Sequence, residues 1–430
     1  MKIGIVGGGL TGLMAGYELA KQGHQVLVFE RENECGGLVS VTKAGDLTLE
    51  NFYHHIFTSD QELAELIEEL GLGARLQWLT PHNSTYINGQ FYSLNTPVDL
   101  LLFKELPFVE RIRMGLLILR SWYIKDWSKL EKRLAKEWVF KNAGKQAYEK
   151  FWGPLLYSKF DSDADRIAAV WLWNKFKLRG STRSKNLNKE LLGYLSGSFG
   201  AVTQALIAKI NALGGQIRTG APVTEIVPQT GGALELVAGS GRETFDRVIV
   251  TAAPDLLLKM KVSFPEEYLN KLAAIKYKAN ICMTLELSQP LSPYYWITVT
   301  DNRIPFVAVI EHTNLVKDPG YGAHIVYLSR YLDESNELYR ASDEVVRGLF
   351  LKELKRMFPS WNEGTVKSCR INRARYAQPV VFTDYSKILP SFETPIRNLY
   401  LACMAQIYPE DRGQNYAVRM GKEIAKIAAK

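Results

Sequence analysis

The sequence predicts an α/β protein in which a parallel-sheet domain, delivered in three pieces, is interleaved with an α+β domain and a helical cap. Three observations predict it: a strand, glycine turn and helix at the N-terminus, a matching strand, turn and helix near residue 400, and a basic, tryptophan-rich helical stretch between them. The 430 residues suffice for two or three domains with a sizeable core. With 47% hydrophobic and 23% charged residues, neither wholesale disorder nor a fibrous repeat is tenable.

Lys2 to Val6 form an apolar strand, followed by Gly7-x-Gly9-x-x-Gly12 and a helical run carrying Leu13, Tyr17 and Leu19. This order is Rossmann-like. Gly7 makes the sharp turn, Gly9 lets backbone approach a pyrophosphate, and Gly12 permits tight helix-on-strand packing, while Leu10 and Thr11 open a helix whose N-terminus faces the phosphate charge. A second strand, QVLVFE, ends in Glu30, followed by Arg31, 23 positions after Gly7. A carboxylate there accepts hydrogen bonds from both ribose hydroxyls and disfavours a 2′-phosphate. The Gly36-Gly37 pair, with Leu38, brings backbone close to a second part of a long cofactor, which favours FAD over NAD. The chain has one such motif, so stable NAD(P) binding is not expected.

The stretch NLYLACMAQIYPEDRGQNYAVRMGKEIAKIAAK reads as a buried strand, a turn containing Met404, and a helix. Its start, at Arg412, Gly413, Gln414, Asn415 and Tyr416, can direct amides at phosphate or flavin; the simpler alternative is a strand and helix that only complete the sheet. The expected division is 1–75, 191–258 and 369–430 for the parallel-sheet domain and 76–190 and 259–368 for the second domain. Within these, SDQELAELIEELGL predicts a helix opening at Ser59 with acids in its first turn. The strands LQWL, STYIN and QFYSL surround Asn88-Gly89, a hairpin turn.

The net charge of +8 has one source. Residues 104–189, the cap, hold 20 Lys and Arg against 9 Asp and Glu and six of the nine Trp; the other 344 residues sum to −3. The first expectation is a cap that buries its apolar face on a substrate pocket and solvates its basic exterior. The second is peripheral membrane contact, because Trp and Lys settle at headgroup interfaces. A third use is attraction of a phosphate-bearing substrate. No RRM or OB pattern accompanies the aromatics, so no nucleic-acid partner is expected. Cys35, Cys282, Cys369 and Cys403 form no metal or disulfide spacing, and no metal is expected. Without a cleavable leader pattern or an apolar run of about 18 residues, a cytoplasmic location is expected, with membrane association as the alternative.

On Gly7, Gly9, Gly12, Glu30 and Gly36-Gly37 the chain resembles the flavin-dependent amine oxidase, protoporphyrinogen oxidase and phytoene desaturase superfamily, over nearly its whole length. GYLSGSFGAVTQALIAKINALGGQIRTGAPVTEIV is similar to the unit whose backbone, here at Val223, meets adenine, and LEKRLAKEWVFKNAGKQAYEKFWGPLLYSKF is similar to the cap segment of protoporphyrinogen oxidases. The resemblance implies FAD and an enzyme that dehydrogenates an apolar or amphipathic small molecule by hydride transfer to flavin, with oxygen, a quinone or another carrier as reoxidant. Two departures qualify it. Many members carry Gly-Asp or Gly-Glu where this chain has Ala402-Cys403-Met404. ITVTDNRIPFVAVIEHTN resembles a strand pair of UDP-galactopyranose mutases, so a redox-neutral nucleotide-sugar mutase is an alternative. A flavin-free, prenyl-binding protein of the GDP-dissociation-inhibitor type is another, opposed by the intact glycine set.

The candidate catalytic residues are Tyr53, His54 and His55, on the segment that in the family runs beside the isoalloxazine, and His312 in the second domain. Imidazole accepts a proton near neutral pH; packing roles are the alternative. Arg330, Arg375 and Tyr376 are candidates for an anionic substrate group or for surface ion pairs.

Overall fold

The computed structural model describes residues 1–181, 190–239 and 241–430; residues 182–189, the end of the basic cap segment, lie outside the described residues, as does 240. Five short strands rich in Val, Ile and Leu line up in parallel in the order Gln216–Arg218, Gln25–Phe29, Lys2–Val6, Arg247–Val250 and Leu399–Leu401. Both faces of such a sheet are covered, which is why its inner strands are mostly apolar, while the edge strand Gln216–Arg218 keeps exposed polar residues. Ile3, Ile5, Val28 and Ile249 pack under the helices Leu10–Lys21 and Gln414–Ala428. Val6, Leu27, Val248 and Val250 pack against a three-stranded antiparallel sheet, Val223–Pro228, Leu234–Ala238 and Gly241–Phe245. The two helices cross so closely that a Cβ at Gly421 would come within 2.8 Å of the Thr11 carbonyl oxygen.

The second domain is a seven-stranded sheet in the order Val366–Pro379, Tyr277–Leu287, His324–Leu332, Ala308–Glu311, Trp296–Val299, Asn83–Ile87 and Gln90–Tyr92. Alternation along its strands sends Ile281, Met283, Val326 and Leu328 under the helix Asp343–Met357, and Cys282, Ile310, Tyr327 and Tyr331 towards the first domain. Pairing of Lys278 with Gln378 carries this sheet past the expected boundary at 368. Asn88 (φ 52°) and Gly89 (φ 83°) make the turn between Asn83–Ile87 and Gln90–Tyr92, as a two-residue hairpin requires. The helix expected at Ser59 opens one residue later: Asp60 precedes Gln61–Glu69, and its carboxylate accepts the Phe57 N–H at 2.8 Å.

The cap contains the helices Pro97–Leu102, Phe108–Tyr123, Ala135–Asn142, Gly153–Phe160 and Ala169–Ser181. Trp138, Trp152, Trp171 and Trp173 are buried with Phe151, Phe160 and Phe176 in a core that also takes in Ile87, Val380, Val381 and Tyr385 from outside the cap. The cap is attached to the rest of the chain by apolar packing on Ile87, Val380 and Val381, by the Ala168 N–H to Val381 carbonyl bond at 2.9 Å, and by a buried ion cluster. Lys278 is fully buried and places its ammonium 2.8 Å from Asp163 of the cap and 2.7 Å from Asp333 of the sheet domain.

Candidate functional site

The first glycine turn is built by exclusion. Gly7 sits at φ +116°, where side chains are strained, and a Cβ on Gly12 would stand 2.0 Å from the Gly7 carbonyl oxygen. Gly9 differs: a Cβ there would meet nothing within 4 Å, so this position faces open space at the mouth of the helix Leu10–Lys21. The second glycine turn folds onto the first, with the Gly36 N–H donating to the Gly8 carbonyl at 2.9 Å. Gly37 follows at φ +56°, and Leu38 lies half-buried in the single turn Gly37–Val39. Glu30 accepts the Gly8 N–H at 2.7 Å through one oxygen and the Glu32 N–H at 2.9 Å through the other. Each oxygen keeps acceptor capacity for a hydroxyl. Arg31 is exposed and pairs with Glu32 at 2.9 Å. The Ala221 N–H bonds the Glu30 carbonyl at 2.8 Å, which brings the start of Val223–Pro228 alongside Glu30.

The last parallel strand feeds a second helix N-terminus to the same sheet edge. After Leu401, Gln406 folds back, accepting the Cys403 N–H at 2.7 Å and donating to the Leu401 carbonyl at 3.0 Å, across the turn that contains Met404. No acid stands at this turn. Gly413 caps the helix Gln414–Ala428, and the buried Nε2 of Gln414 has no hydrogen-bond partner in the protein. The Asn415 side chain accepts the Leu63 N–H at 3.0 Å, tying the two helices together, and Tyr416 lies half-buried under the Arg419 guanidinium. Two helix N-termini at the carboxyl ends of parallel strands, open space at Gly9, spare acceptors on Glu30 and an orphaned amide at Gln414 fit a long dinucleotide carrying negative charge at its middle.

Beyond this cradle is a cleft between the two domains and the cap. Tyr53, His54, Lys159 and Arg412 keep solvent-accessible surface although protein surrounds them, as groups lining a deep recess do. Arg412 donates to Gln378 Oε1 at 3.1 Å and to the Tyr331 hydroxyl. The Lys159 ammonium lies 4.8 Å from the Tyr331 ring centre and 5.7 Å from that of Trp171, and among the described residues it forms no ion pair. Burial drives its pKa well below the usual lysine value; Asp411 opposes this, and Lys175 and Arg412 add to it. Asp411 is buried behind them, accepting from Lys175, from Gln378 Nε2 at 2.9 Å and from Trp171 Nε1 at 3.2 Å. Despite its burial, Lys175, Lys159 and Arg412 hold its carboxyl far below the ordinary range.

The candidate catalytic residues are distributed unevenly over this region. Tyr53 faces Tyr331, Arg412 and Cys282, with its ring edge-on to Trp296 and Tyr327. His55 bonds the Tyr295 hydroxyl at 3.0 Å through Nδ1. The Nδ1 of His54 lies 2.6 Å from the Phe52 carbonyl, and burial together with Arg412 lowers its pKa to about 4. His312 sits apart, bonded to the Tyr321 hydroxyl at 3.1 Å inside a ring of Tyr194, Tyr321 and Tyr327, its pKa lowered to about 3 by burial. Arg330, Arg375 and Tyr376 are engaged elsewhere: Arg330 stands 3.8 Å from Asp161, Arg375 pairs with Glu334 at 2.6 Å, and Tyr376 donates to Asp255. Sequence reasoning missed Lys159, Lys175, Tyr331, Cys282 and Asp411. Only the period-2 pattern of the sheet, which sends Cys282 and Tyr331 inward, carried a signal for any of them.

Beside the cleft, Glu50 is buried and accepts the Tyr194 hydroxyl at 2.9 Å; burial raises its pKa to about 7. A raised carboxyl pKa contributes stability that is fully present below the unfolded value near 4.3 and is lost as pH rises through about 7. The depressed His54 and His312 act in the opposite sense, so a single substitution isolates Glu50. Glu50→Gln is expected to match the parent near pH 4 and to exceed it by on the order of 3 kcal/mol at about pH 8, read from urea unfolding midpoints.

Parallel sheet, paired glycine turns and an acid at the end of the second strand define a dinucleotide-binding protein of the FAD type. The chain belongs to the flavin containing amine oxidoreductase family, whose model matches residues 10–425, and FAD is the cofactor these residues fit. It is 25% identical over 226 residues to a zeta-carotene desaturase of Arabidopsis thaliana, covering 46% of this chain and 40% of that one. It is 27% identical over 189 residues to the mitochondrial protoporphyrinogen oxidase of Nicotiana tabacum, covering 42% and 37%. The chain thus matches about two fifths of the length of these curated relatives. An oxidoreductase from Methanosarcina mazei shares the fold end to end, with a TM-score of 0.76, 20% identity and 100% of both chains covered.

Proposed function

We propose that this protein is an FAD-dependent oxidoreductase that dehydrogenates an apolar or amphipathic small molecule bearing an anionic group. The observation that carries this reading is the composition of the cleft: aromatic side chains of Tyr53, Trp296 and Tyr331, with Tyr327 packed behind Tyr53, and Lys159 and Arg412 as cations beside them. When bound, the flavin supplies two-electron acceptance. The chain supplies the rest. Gly7, Gly9, Gly12 and the helix starting at Gln414 hold the pyrophosphate, Glu30 and Val223 hold the adenosine, and Leu10, Thr11, Gly36, Gly37, Leu38, Met404 and Tyr416 line the path between. The hydrogen bond from His54 Nδ1 to the Phe52 carbonyl leaves Nε2 as the ring's proton acceptor, and its lowered pKa keeps it neutral at neutral pH. Lys159 gains by facing an anion, since among the described residues it forms no ion pair.

The test is anaerobic spectroscopy. The purified protein is expected to be yellow and to bleach in the flavin bands with its substrate, within a panel of prenyl lipids, tetrapyrroles, amines and nucleotide sugars. Isomer formation that requires pre-reduced enzyme and consumes no oxidant would replace this reading with the mutase; a colourless protein that FAD does not reconstitute would leave the prenyl-binding one.

A further inference from the structure

We infer that the helices Pro97–Leu102 and Phe108–Tyr123 form a docking face for an anionic lipid bilayer. This narrows the peripheral contact expected of residues 104–189 to the helix Phe108–Tyr123 and adds Pro97–Leu102, which precedes that segment; it stands whatever the substrate proves to be. The helix Phe108–Tyr123 is turned inside out. Every exposed position on it except Arg120 is apolar: Phe108, Val109, Ile112, Leu116, Leu119 and Tyr123, with Val109 64% and Tyr123 81% exposed. These positions recur every three or four residues and form one stripe.

Its polar groups are spent inward instead. Arg111 donates to the carbonyls of Leu101 at 2.8 Å and Leu106 at 2.7 Å, Arg113 to that of Lys141 at 2.7 Å, and Glu110 accepts the Ala147 N–H at 2.7 Å. Pro97–Leu102 lies alongside, since a Cβ on Gly115 would be 3.6 Å from Leu100, and it adds Val98, Leu101 and Leu102, the last 67% exposed. The expectation that the cap, residues 104–189, buries its apolar face therefore fails for the helix Phe108–Tyr123. Water is a poor neighbour for nine large apolar side chains gathered in 26 residues.

Charge selects the occupant. Between residues 104 and 133 the exposed cations are Lys104, Arg120, Lys125, Lys129, Lys132 and Arg133, against Asp126 as the one exposed acid. A second copy of this face would set cations against cations, whereas anionic headgroups complement them. Sixteen residues span about 24 Å, and no helix among the described residues is long and apolar enough to cross a membrane, so the stripe lies in the interface plane. The docking helix leads back to the cleft: the buried Trp173 indole donates to the Ser121 carbonyl at 2.8 Å, and the same helix, Ala169–Ser181, carries Trp171 and Lys175 to Asp411.

The experiment is flotation of the flavin-loaded protein with vesicles of phosphatidylcholine alone and of phosphatidylcholine with phosphatidylglycerol in equal parts. Binding is expected to the anionic vesicles, to weaken as salt rises, and to fall about tenfold or more in Ile112→Ser/Leu116→Ser/Leu119→Ser. That variant changes only exposed side chains, so its flavin spectrum and unfolding midpoint are expected to match the parent. Absence of flotation with both vesicles would overturn the inference, as would equal, salt-independent binding to neutral ones. A parent dimer in light scattering that the triple substitution dissociates, with no flotation, would assign the face to a second copy instead. Lipid binding is read without turnover, so the outcome does not depend on what the cleft oxidises.

Discussion

Gly9→Val is expected to yield a folded protein that has lost its yellow colour. The two neighbouring glycines cannot make this separation: a Cβ at Gly12 strikes the Gly7 carbonyl and one at Gly7 demands an unfavourable φ, so both substitutions damage the turn itself. Gly9 has an ordinary φ of −75° and no protein atom within 4 Å of a would-be Cβ. A side chain there starts out into open space at the helix mouth, towards what binds there. Bound flavin, read as absorbance per protein after gel filtration, is expected to drop about tenfold or more. The unfolding midpoint is expected to fall to near that of the parent stripped of FAD, because ligand linkage is lost, with at most about 1 kcal/mol more from valine at the N-cap of Leu10–Lys21. Full flavin content in Gly9→Val would show that the cofactor does not pass this helix.

The second large effect is expected at Asp411, a residue within the turn before the last helix. Asp411→Ala removes the carboxylate that Lys175, Lys159 and Arg412 face, strands the Trp171 indole, and leaves the Gln378 amide with the Pro379 carbonyl as its remaining acceptor. Breaking a buried charge pair costs about 3–5 kcal/mol, and the partial exposure of Lys175 places this case near 3 kcal/mol. The pH dependence has a definite sign. A carboxyl held below its unfolded value contributes stability that is present above about pH 4 and lost as pH falls further. The gap between parent and Asp411→Ala in urea unfolding is therefore expected to close below about pH 4, and a gap that stays constant with pH would show the ionised carboxylate is not the cause.

How legible was this protein beforehand? The parallel sheet was, because its requirements are local: apolar strands, glycine where backbone crowds backbone, an acid at the end of the second strand. Asn88-Gly89 was readable for the same reason. The cleft was not. Lys159, Asp411 and Tyr331 lie on three segments far apart in the chain, and nothing near any of them in sequence marks a shared recess. Arg330 and Arg375 carry the same charge as Lys159, but their acidic partners, Asp161 and Glu334, become neighbours only in the folded chain. The apolar run from Ile112 was legible as hydrophobic but not as outward-facing. Its orientation depends on where Arg111 and Arg113 find carbonyls, and those belong to Leu101, Leu106, Lys141 and Asn142.

The interleaving of the parallel sheet bears on the birth of the protein. Lys2–Val6 is a central strand, flanked by Gln25–Phe29 on one side and Arg247–Val250 on the other. A ribosome adds roughly 5–20 residues per second, so the second neighbour arrives roughly 10–50 s after the first. Throughout that interval the nascent chain presents an unpaired apolar edge. The strand Leu399–Leu401 and the helix that closes the flavin end come later still, so the polypeptide must wait for its cofactor, and the cell must shield that edge while it waits.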